Sequence, residues 1–169
     1  MATIIPLADV DPALIEALLD RAFEPERRRR AAYGLRAATA WLPQLSFAAL
    51  DDADLLVGTI QCWPLALTDP AGRRHPLIFV GPVAVLPEHQ GAGYGRALVT
   101  AMLAALDPRA PLPQVMIGDP EYYGRFFGFT AEHTGGWTLD GAYEQRRLLC
   151  RCDTPAVLPP VGKLGPWLG

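Results

Sequence analysis

Gly91, Gly93 and Gly95 alternate with other residues in "EHQGAGYGRALV", residues 88–99. Before them runs the apolar "LIFVGPVAVLP" from Leu77, and after them comes a stretch of helical periodicity. This order of strand, glycine turn and helix constrains the fold more than any other feature. The first turn of a helix offers N–H groups with no partner inside the helix, and they converge on an anion. Glycines let the backbone approach that anion and adopt unusual dihedrals. Arg96 adds positive charge. The segment reads as a phosphate or pyrophosphate site, against the alternative of a tight turn that binds nothing.

Spacing separates the known phosphate loops. A P-loop requires G-x-x-x-x-G-K-[ST]; counting from Gly91, the glycine position is occupied by Arg96, and no Lys-Ser/Thr pair follows. A dinucleotide fingerprint requires G-x-G-x-x-G. Its third glycine falls on Arg96 or Leu98, and Asp107, the acid at the right distance, belongs to a helix end. What fits is Q-x-x-G-x-G, carried by Gln90, Gly93 and Gly95.

The rest of the chain supplies an α+β frame. "TIIPL" predicts a first strand. Asp11 and Pro12 predict an N-cap and first helical position, with Leu14, Leu18 and Ala22 as the buried stripe. A second helix is predicted after Pro25. Its four arginines, 27–30, cover more than one turn and read as a solvated face, with an anionic ligand as the alternative. "LSFAAL", "DDAD" and "LLVGTIQCWPLAL" predict a hairpin, and "TDPAGRRHP" a loop. Pro82 predicts an irregularity in the following strand. After the glycine helix, with its stripe of Leu98, Val99, Met102, Leu103 and Leu106, come the strand "QVMIGD" and a short helix from Pro120 to Gly128. "WTLD" and "YEQRRLLCRC" predict two closing strands. The strands on either side of the glycine helix should run parallel if they are neighbours. The expectation is one domain over residues 1–152 and an irregular Pro/Gly-rich tail over 153–169.

Composition excludes several classes. The formal net charge of -3 gives no general case for nucleic acid. Charge or proline interrupts every apolar run before the ~20 residues of a membrane span. Cys62, Cys150 and Cys152, with no signal-like start, read as reduced thiols of a cytoplasmic protein. No Cys or His spacing suits a metal.

The segment "VGPVAVLPEHQGAGYGRALV" resembles the acetyl-CoA-binding motif of the GNAT family of N-acetyltransferases. "IGDPEYYGRFFGF" is similar to that family's next strand and helix. Together with "TAEHTGGWTL" it is most similar to a bacterial subgroup of predicted acetyltransferases with a GDPxYYxRFGF-like motif. The resemblance spans residues 55–150 and covers the first fifty only in layout. It implies a GNAT fold: a mixed, mostly antiparallel, twisted sheet of about six or seven strands with about four helices, splayed between the fourth and fifth strands. It implies acetyl-CoA as cofactor, its pyrophosphate on Gln90, Gly91, Ala92, Gly93, Tyr94, Gly95 and Arg96. Pantetheine would pair with the backbone of Val83 and Val85, and the thioester carbonyl would face a backbone N–H near Val85 or Leu86.

The implied activity is transfer of an acetyl group to a primary amine by direct attack. Such transfer needs a neutral amine, a donor for the oxyanion and a proton for the departing sulfur. The family's acid is a tyrosine in the helix before F-G-F, which here means Tyr123 first and Tyr122 second. In the commoner spacing the position falls on Gly124, because "FFGF" carries one more residue, so a bulge or a register shift is implied. Both tyrosines packing or orienting substrate is the alternative. Many members place a glutamate on the fourth strand, and "LIFVGPVAV" has none. Glu88, Glu121, Asp119, His133 and Glu24 are weak substitutes for that base, and water is another route. Cys62 reads as a buried thiol rather than a nucleophile. Trp41, Trp63 and Trp137 suit either an acceptor pocket or the core. The partner is a small-molecule or peptide amine, with a homodimer among the assemblies implied and neither nucleic acid nor membrane. The competing readings are a CoA-binding sensor or scaffold without turnover and an unrelated nucleotide-binding domain.

Overall fold

The computed structural model describes residues 2–23, 27 and 30–169. Strands β1 (Thr3–Pro6), β2 (Phe47–Leu50), β3 (Leu56–Thr68), β4 (Arg74–Val85), β5 (Gln114–Ile117), β6 (Gly136–Thr138), β7 (Leu148–Arg151) and β8 (Val161–Pro166) form one hydrogen-bonded sheet. The helices are α1 (Pro12–Ala22), α2 (Ala31–Gly34), α3 (Tyr94–Ala104) and α4 (Pro120–Phe127). The path of the sheet is β1-β2-β3-β4-β5-β7, with β8 pairing β3 and β6. This is the mixed, mostly antiparallel GNAT-type fold. The chain divides into two compact units, residues 1–27, 41–62 and 81–110 in one, and 28–40, 63–80 and 111–169 in the other.

In the first unit, β1 and β2 run antiparallel from Thr3↔Leu50 to Pro6↔Phe47, and β2 pairs β3 at Phe47↔Ile60 through Ala49↔Gly58. Asp51 closes the hairpin, its Oδ1 accepting from the N–H groups of Ala53 and Leu55 at 2.9 and 3.0 Å. Helix α1 starts as its sequence predicts: Asp11 Oδ1 accepts from Ala13 N–H at 2.9 Å, with Pro12 in the first position. Its buried stripe is Ile15, Leu18 and Leu19, however, and Leu14 is 55% exposed. A row spaced by four drifts around a 3.6-residue helix, whereas the i, i+3, i+4 set stays on one side. Leu7, Leu19, Ile60, Leu98, Val99 and Met102 are fully buried in this unit.

The arginine run is not uniformly solvated. Arg27 is buried, and its guanidinium donates to Asp20 Oδ1 at 2.7 Å, with Glu16 Oε1 at 3.6 Å. The two carboxylates sit four apart on α1, one turn from each other, so one cation reaches both. Arg30 is exposed. Arg28, Arg29 and Glu24 lie outside the described residues, and α2 is confined to Ala31–Gly34.

In the second unit, β4 and β5 are parallel at Ile78↔Gln114 and Phe79↔Val115, and β5 pairs β7 antiparallel from Gln114↔Arg151 to Ile117↔Leu148. Strand β4 already begins at Arg74, inside the stretch expected to be a loop. Only Leu148–Arg151 of "YEQRRLLCRC" is a strand, because Gln145–Arg147 turn as a short 3-10 helix. The tail also departs from expectation. Residues 161–166 form β8, antiparallel to β3 at Leu65↔Pro166 through Thr68↔Lys163 and parallel to β6, which brings the strand number above six or seven. Gly162 makes the approach feasible, since a Cβ there would lie 2.8 Å from Leu67 Cδ1 and 2.9 Å from Thr68 O. Trp137 is fully buried and donates from Nε1 to Pro159 O at 2.8 Å, which gives it a core role.

Candidate functional site

Two local constructions carry the residues singled out by sequence, one in each unit. The first is the end of β4 and the loop that follows. Leu86 N–H donates to Val57 O at 2.9 Å, and Ala84 O lies where a Cβ on Gly58 would be only 2.9 Å away. Both contacts turn the backbone of Ala84 and Leu86 toward β3. Backbone polar groups alternate sides along a strand, so those of Val83 and Val85 face the opposite way. The Leu86 N–H is therefore occupied by β3, which corrects its expected role toward a thioester and leaves Val85. The Val85 side chain points toward α3, since its Cγ2 would lie 3.8 Å from a Cβ on Gly95. The Gly81–Pro82 peptide is cis, the irregularity expected at Pro82.

Beyond Leu86 the chain makes a 3-10 turn, Pro87–His89, and reaches the glycines. Gln90 folds back, its Nε2 donating to Val85 O at 3.3 Å. Gly91 and Gly93 have φ of 85° and 89°, in the left-handed region that glycine enters at no steric cost. A Cβ on either would meet nothing within 4 Å, so the space over both is open. Gly91, Ala92 and Gly93 are exposed, as is Arg96. No side chain caps α3. Its first internal bond runs from Ala97 N–H to Gly93 O at 3.0 Å, so the N–H groups of Tyr94, Gly95 and Arg96 precede the helical ladder and point out of its start. An open groove of about 520 Å³ continues from Gly93 along Arg96, Ala97, Thr100, Ala101 and Ala104. A cradle of open left-handed glycines, outward N–H groups and one cationic side chain fits a pyrophosphate.

Glu88 does not serve this cradle. Its carboxylate accepts from Arg21 at 2.5 Å. Its own backbone N–H and then Arg21 hold its carboxyl below the usual range. His89 stands edge-on to Tyr94, 5.8 Å between ring centroids.

The second construction is α4. Asp119 caps it, Oδ1 accepting from Glu121 N–H at 3.0 Å, and Pro120 takes the first position. A hydrogen bond from Glu121 and backbone N–H groups keep the Asp119 carboxyl low, so it is a cap and a poor base. Tyr122 and Tyr123 meet edge to face at 4.9 Å between centroids. Tyr123 also meets the Phe129 ring at 6.3 Å. Burial pushes the Tyr123 hydroxyl up to about 12; Tyr122 and Asp119 add to the rise and Arg147 opposes it.

The additional residue of "FFGF" is absorbed at the end of α4. Gly128 takes φ 76°, and its N–H is shared between Gly124 O and Tyr123 O, while Phe129 N–H reaches back to Tyr123 O at 3.2 Å. That reach is one residue longer than in the usual glycine-terminated end, so the helix widens at its exit and stays regular through Tyr123.

Two residues outside the site candidates, Gly118 and Arg147, hold Tyr123 in place. A Cβ on Gly118 would lie 2.9 Å from both Cδ2 and Cε2 of Tyr123, so the ring rests on bare backbone. Arg147 fixes that backbone. Gly118 N–H donates to Arg147 O at 3.0 Å, and Arg147 Nε donates to Gly118 O at 3.2 Å. The visible signal was the glycine of "IGDPEYY", directly before the helix cap. Gly118→Ala is expected to push the ring off this seat and to cost about 1–3 kcal/mol of stability by overpacking; thermal melts would show it, and an unchanged melting temperature would refute it.

The remaining candidates lie elsewhere. Glu121 is exposed and 3.7 Å from Arg146, and His133 is 3.8 Å from Glu132. Cys62 is buried, and burial drives its thiol upward, away from a nucleophilic thiolate. Trp63 is nearly buried, with the Arg36 guanidinium 4.5 Å over its ring. Among the described residues no His, Cys, Asp or Glu group could hold a metal ion, and no helix is long and apolar enough to cross a membrane.

The profile of the Acetyltransferase (GNAT) family matches residues 12–110, more than half of the chain. The chain belongs to this family. It is similar to an Escherichia coli GNAT family N-acetyltransferase, YhbS, solved in complex with CoA, at 25% identity and a TM-score of 0.74, over 96% of this chain and 88% of that one. It is also similar to a GNAT family acetyltransferase from Brucella melitensis solved in complex with acetyl-CoA, at 27% identity and a TM-score of 0.66, over 99% and 97% of the two chains. Among curated proteins, no sequence matches.

Proposed function

We propose that this protein is an acetyl-CoA-dependent N-acetyltransferase acting on a primary amine by direct attack in a ternary complex. The observation that carries the proposal is the opening above Gly91 and Gly93 at the start of α3, beside a β4 edge whose Val83 and Val85 backbone groups face away from β3. The two similar structures solved with CoA and acetyl-CoA support the same cofactor. Gln90, Gly91, Ala92, Gly93, Tyr94, Gly95 and Arg96 would hold the pyrophosphate, mostly through backbone N–H groups, and Val83 and Val85 the pantetheine. The bound cofactor supplies an acetyl group as a thioester.

The chain's own part is to bind, orient and move protons. The Val85 N–H is the assigned oxyanion donor. Tyr123 is the assigned acid. Its high pKa keeps the hydroxyl protonated at neutral pH, and its proton passes to the sulfur as the carbon–sulfur bond breaks and the carbon–nitrogen bond forms. The amine releases its proton to water and water returns one to the Tyr123 oxygen, so the balance is amine and acetyl-CoA to acetamide and free CoA.

Titration of acetyl-CoA by calorimetry, followed by thiol release with a panel of amines, tests this reading. Binding together with amine-dependent thiol release is expected. Binding without turnover on any amine would favour the sensor reading, and absence of binding would overturn both.

A further inference from the structure

Strand β3 carries two polar side chains that its surroundings do not explain. Thr59 is fully buried and Gln61 is 4% exposed. Thr59 Oγ1 and Gln61 Oε1 have no hydrogen-bond partner among the described residues. An unpaired buried polar group costs about 1–3 kcal/mol, and two on one strand mark a place where such groups have a use.

Their direction follows from the pleat. The register across β2 is regular here, Phe47↔Ile60, Ala48↔Thr59 and Ala49↔Gly58. A Cβ on Gly58 would point at Leu98 of α3, 3.1 Å from its Cδ1, and at Val85 Cγ2, 3.5 Å away. Gly58 and Val85 therefore face α3. Thr59, Gln61 and, on β4, Ala84 face the other side. Helix α3 covers one face of the β4 end, and Thr59 and Gln61 lie on the other.

The strands that form that face carry no charge. Within β2, β3 and residues 81–85 the only ionisable side chain is Cys62, on the α3-facing set with Gly58 and Ile60. We infer that Thr59 and Gln61 form the subsite for the acceptor's amino group, and that the acceptor is an α-amine or an amine of similar low basicity. The inference rests on the transferase reading above.

Two neutral oxygens accept N–H bonds from an amine without taking its proton. A buried site whose strands carry no carboxylate disfavours an ammonium, so the amine should arrive neutral. An α-amino group with a pKa of about 7.7–8.0 is about a quarter or more neutral at pH 7.5, whereas a lysine side chain near 10.4 is neutral about once in a thousand. The subsite replaces the absent acid on β4 by selecting amines that do not need a base.

The test uses two near-isosteric variants, Gln61→Met and Thr59→Val, with an amino-acid amide and an N-capped lysine as acceptors at pH 7.5. The acceptor KM should rise about 2- to 12-fold in each variant, the equivalent of one neutral hydrogen bond to the ligand at about 0.5–1.5 kcal/mol. The melting temperature should hold or rise, because each change removes an unpaired buried oxygen; a merely structural role would lower it. The wild type should prefer the α-amine over lysine by about 100-fold or more in kcat/KM, following the neutral fractions. Unchanged acceptor KM in both variants, or a preference for lysine, overturns the inference. Calorimetry with acetyl-CoA separates the two levels. Retained cofactor binding with unchanged acceptor KM removes the subsite alone, and a wild type that binds no acetyl-CoA removes the transferase reading with it.

Discussion

Tyr123→Phe is expected to lower acetyl transfer by about 100- to 10,000-fold, the range of a lost general acid, while the acetyl-CoA dissociation constant stays within about twofold. The ring keeps its seat on Gly118 and its edge contacts with Tyr122 and Phe129, because only the hydroxyl is removed. The pH profile sharpens the test. The acid acts protonated, and with a folded pKa of about 12 it stays protonated across the neutral and mildly basic range. Wild-type rates should therefore rise as the acceptor loses its proton and then stay level to at least about pH 10. A descending limb below that pH would mean that the acid ionises earlier than its burial implies, and a Phe variant with wild-type turnover would remove Tyr123 from the acid role. Tyr122→Phe should leave the turnover number within about threefold, on the same argument that only the acid carries the large term.

Gly93→Val should weaken acetyl-CoA binding by about 10- to 100-fold, equivalent to one charge-assisted hydrogen bond of about 1.5–3 kcal/mol. Valine at φ 89° is strained, and about 1–3 kcal/mol of stability should go with it. That strain makes a companion necessary. Gly95 has ordinary dihedrals, and a Cβ there makes only a 3.8 Å contact with Val85. Gly95→Ala should therefore leave the melting temperature level or raise it slightly, since alanine suits a helix better, and still cost affinity if the pyrophosphate presses on that backbone. Calorimetry and thermal melts on both variants decide the matter. Wild-type affinity in both would mean that the loop does not hold the cofactor.

Much of this was legible in sequence because it is local. Asp11 before Pro12, Asp51 in the hairpin turn, and Asp119 with Gly128 around α4 each fix an element through a bond to near neighbours. The glycine spacing carried the family for the same reason. What the chain did not announce depends on distant residues. The inward side of α1 is set by what the folded chain packs against it, so Leu14 looked buried and Ile15 did not. Arg27 sat in a run of like charges, and only the Glu16–Asp20 pair of α1 shows why it is inside. Thr59 and Gln61 were two polar letters in an apolar strand; their lack of partners is a property of the packed protein. Gly118 was visible as a glycine, but the aromatic ring over it was not.

The closing strand β8 has a consequence for how the chain tolerates shortening. Residues up to 152 contain the whole recognisable motif, and a chain ending there looks self-sufficient on paper. It would leave Leu65–Thr68 of β3 with unpaired main-chain groups along an apolar rim, the usual template for sticking to another copy. In light scattering such a truncated chain should associate beyond the state that the full chain holds. The last residues behave as a selvedge, finishing the fabric where it would otherwise fray.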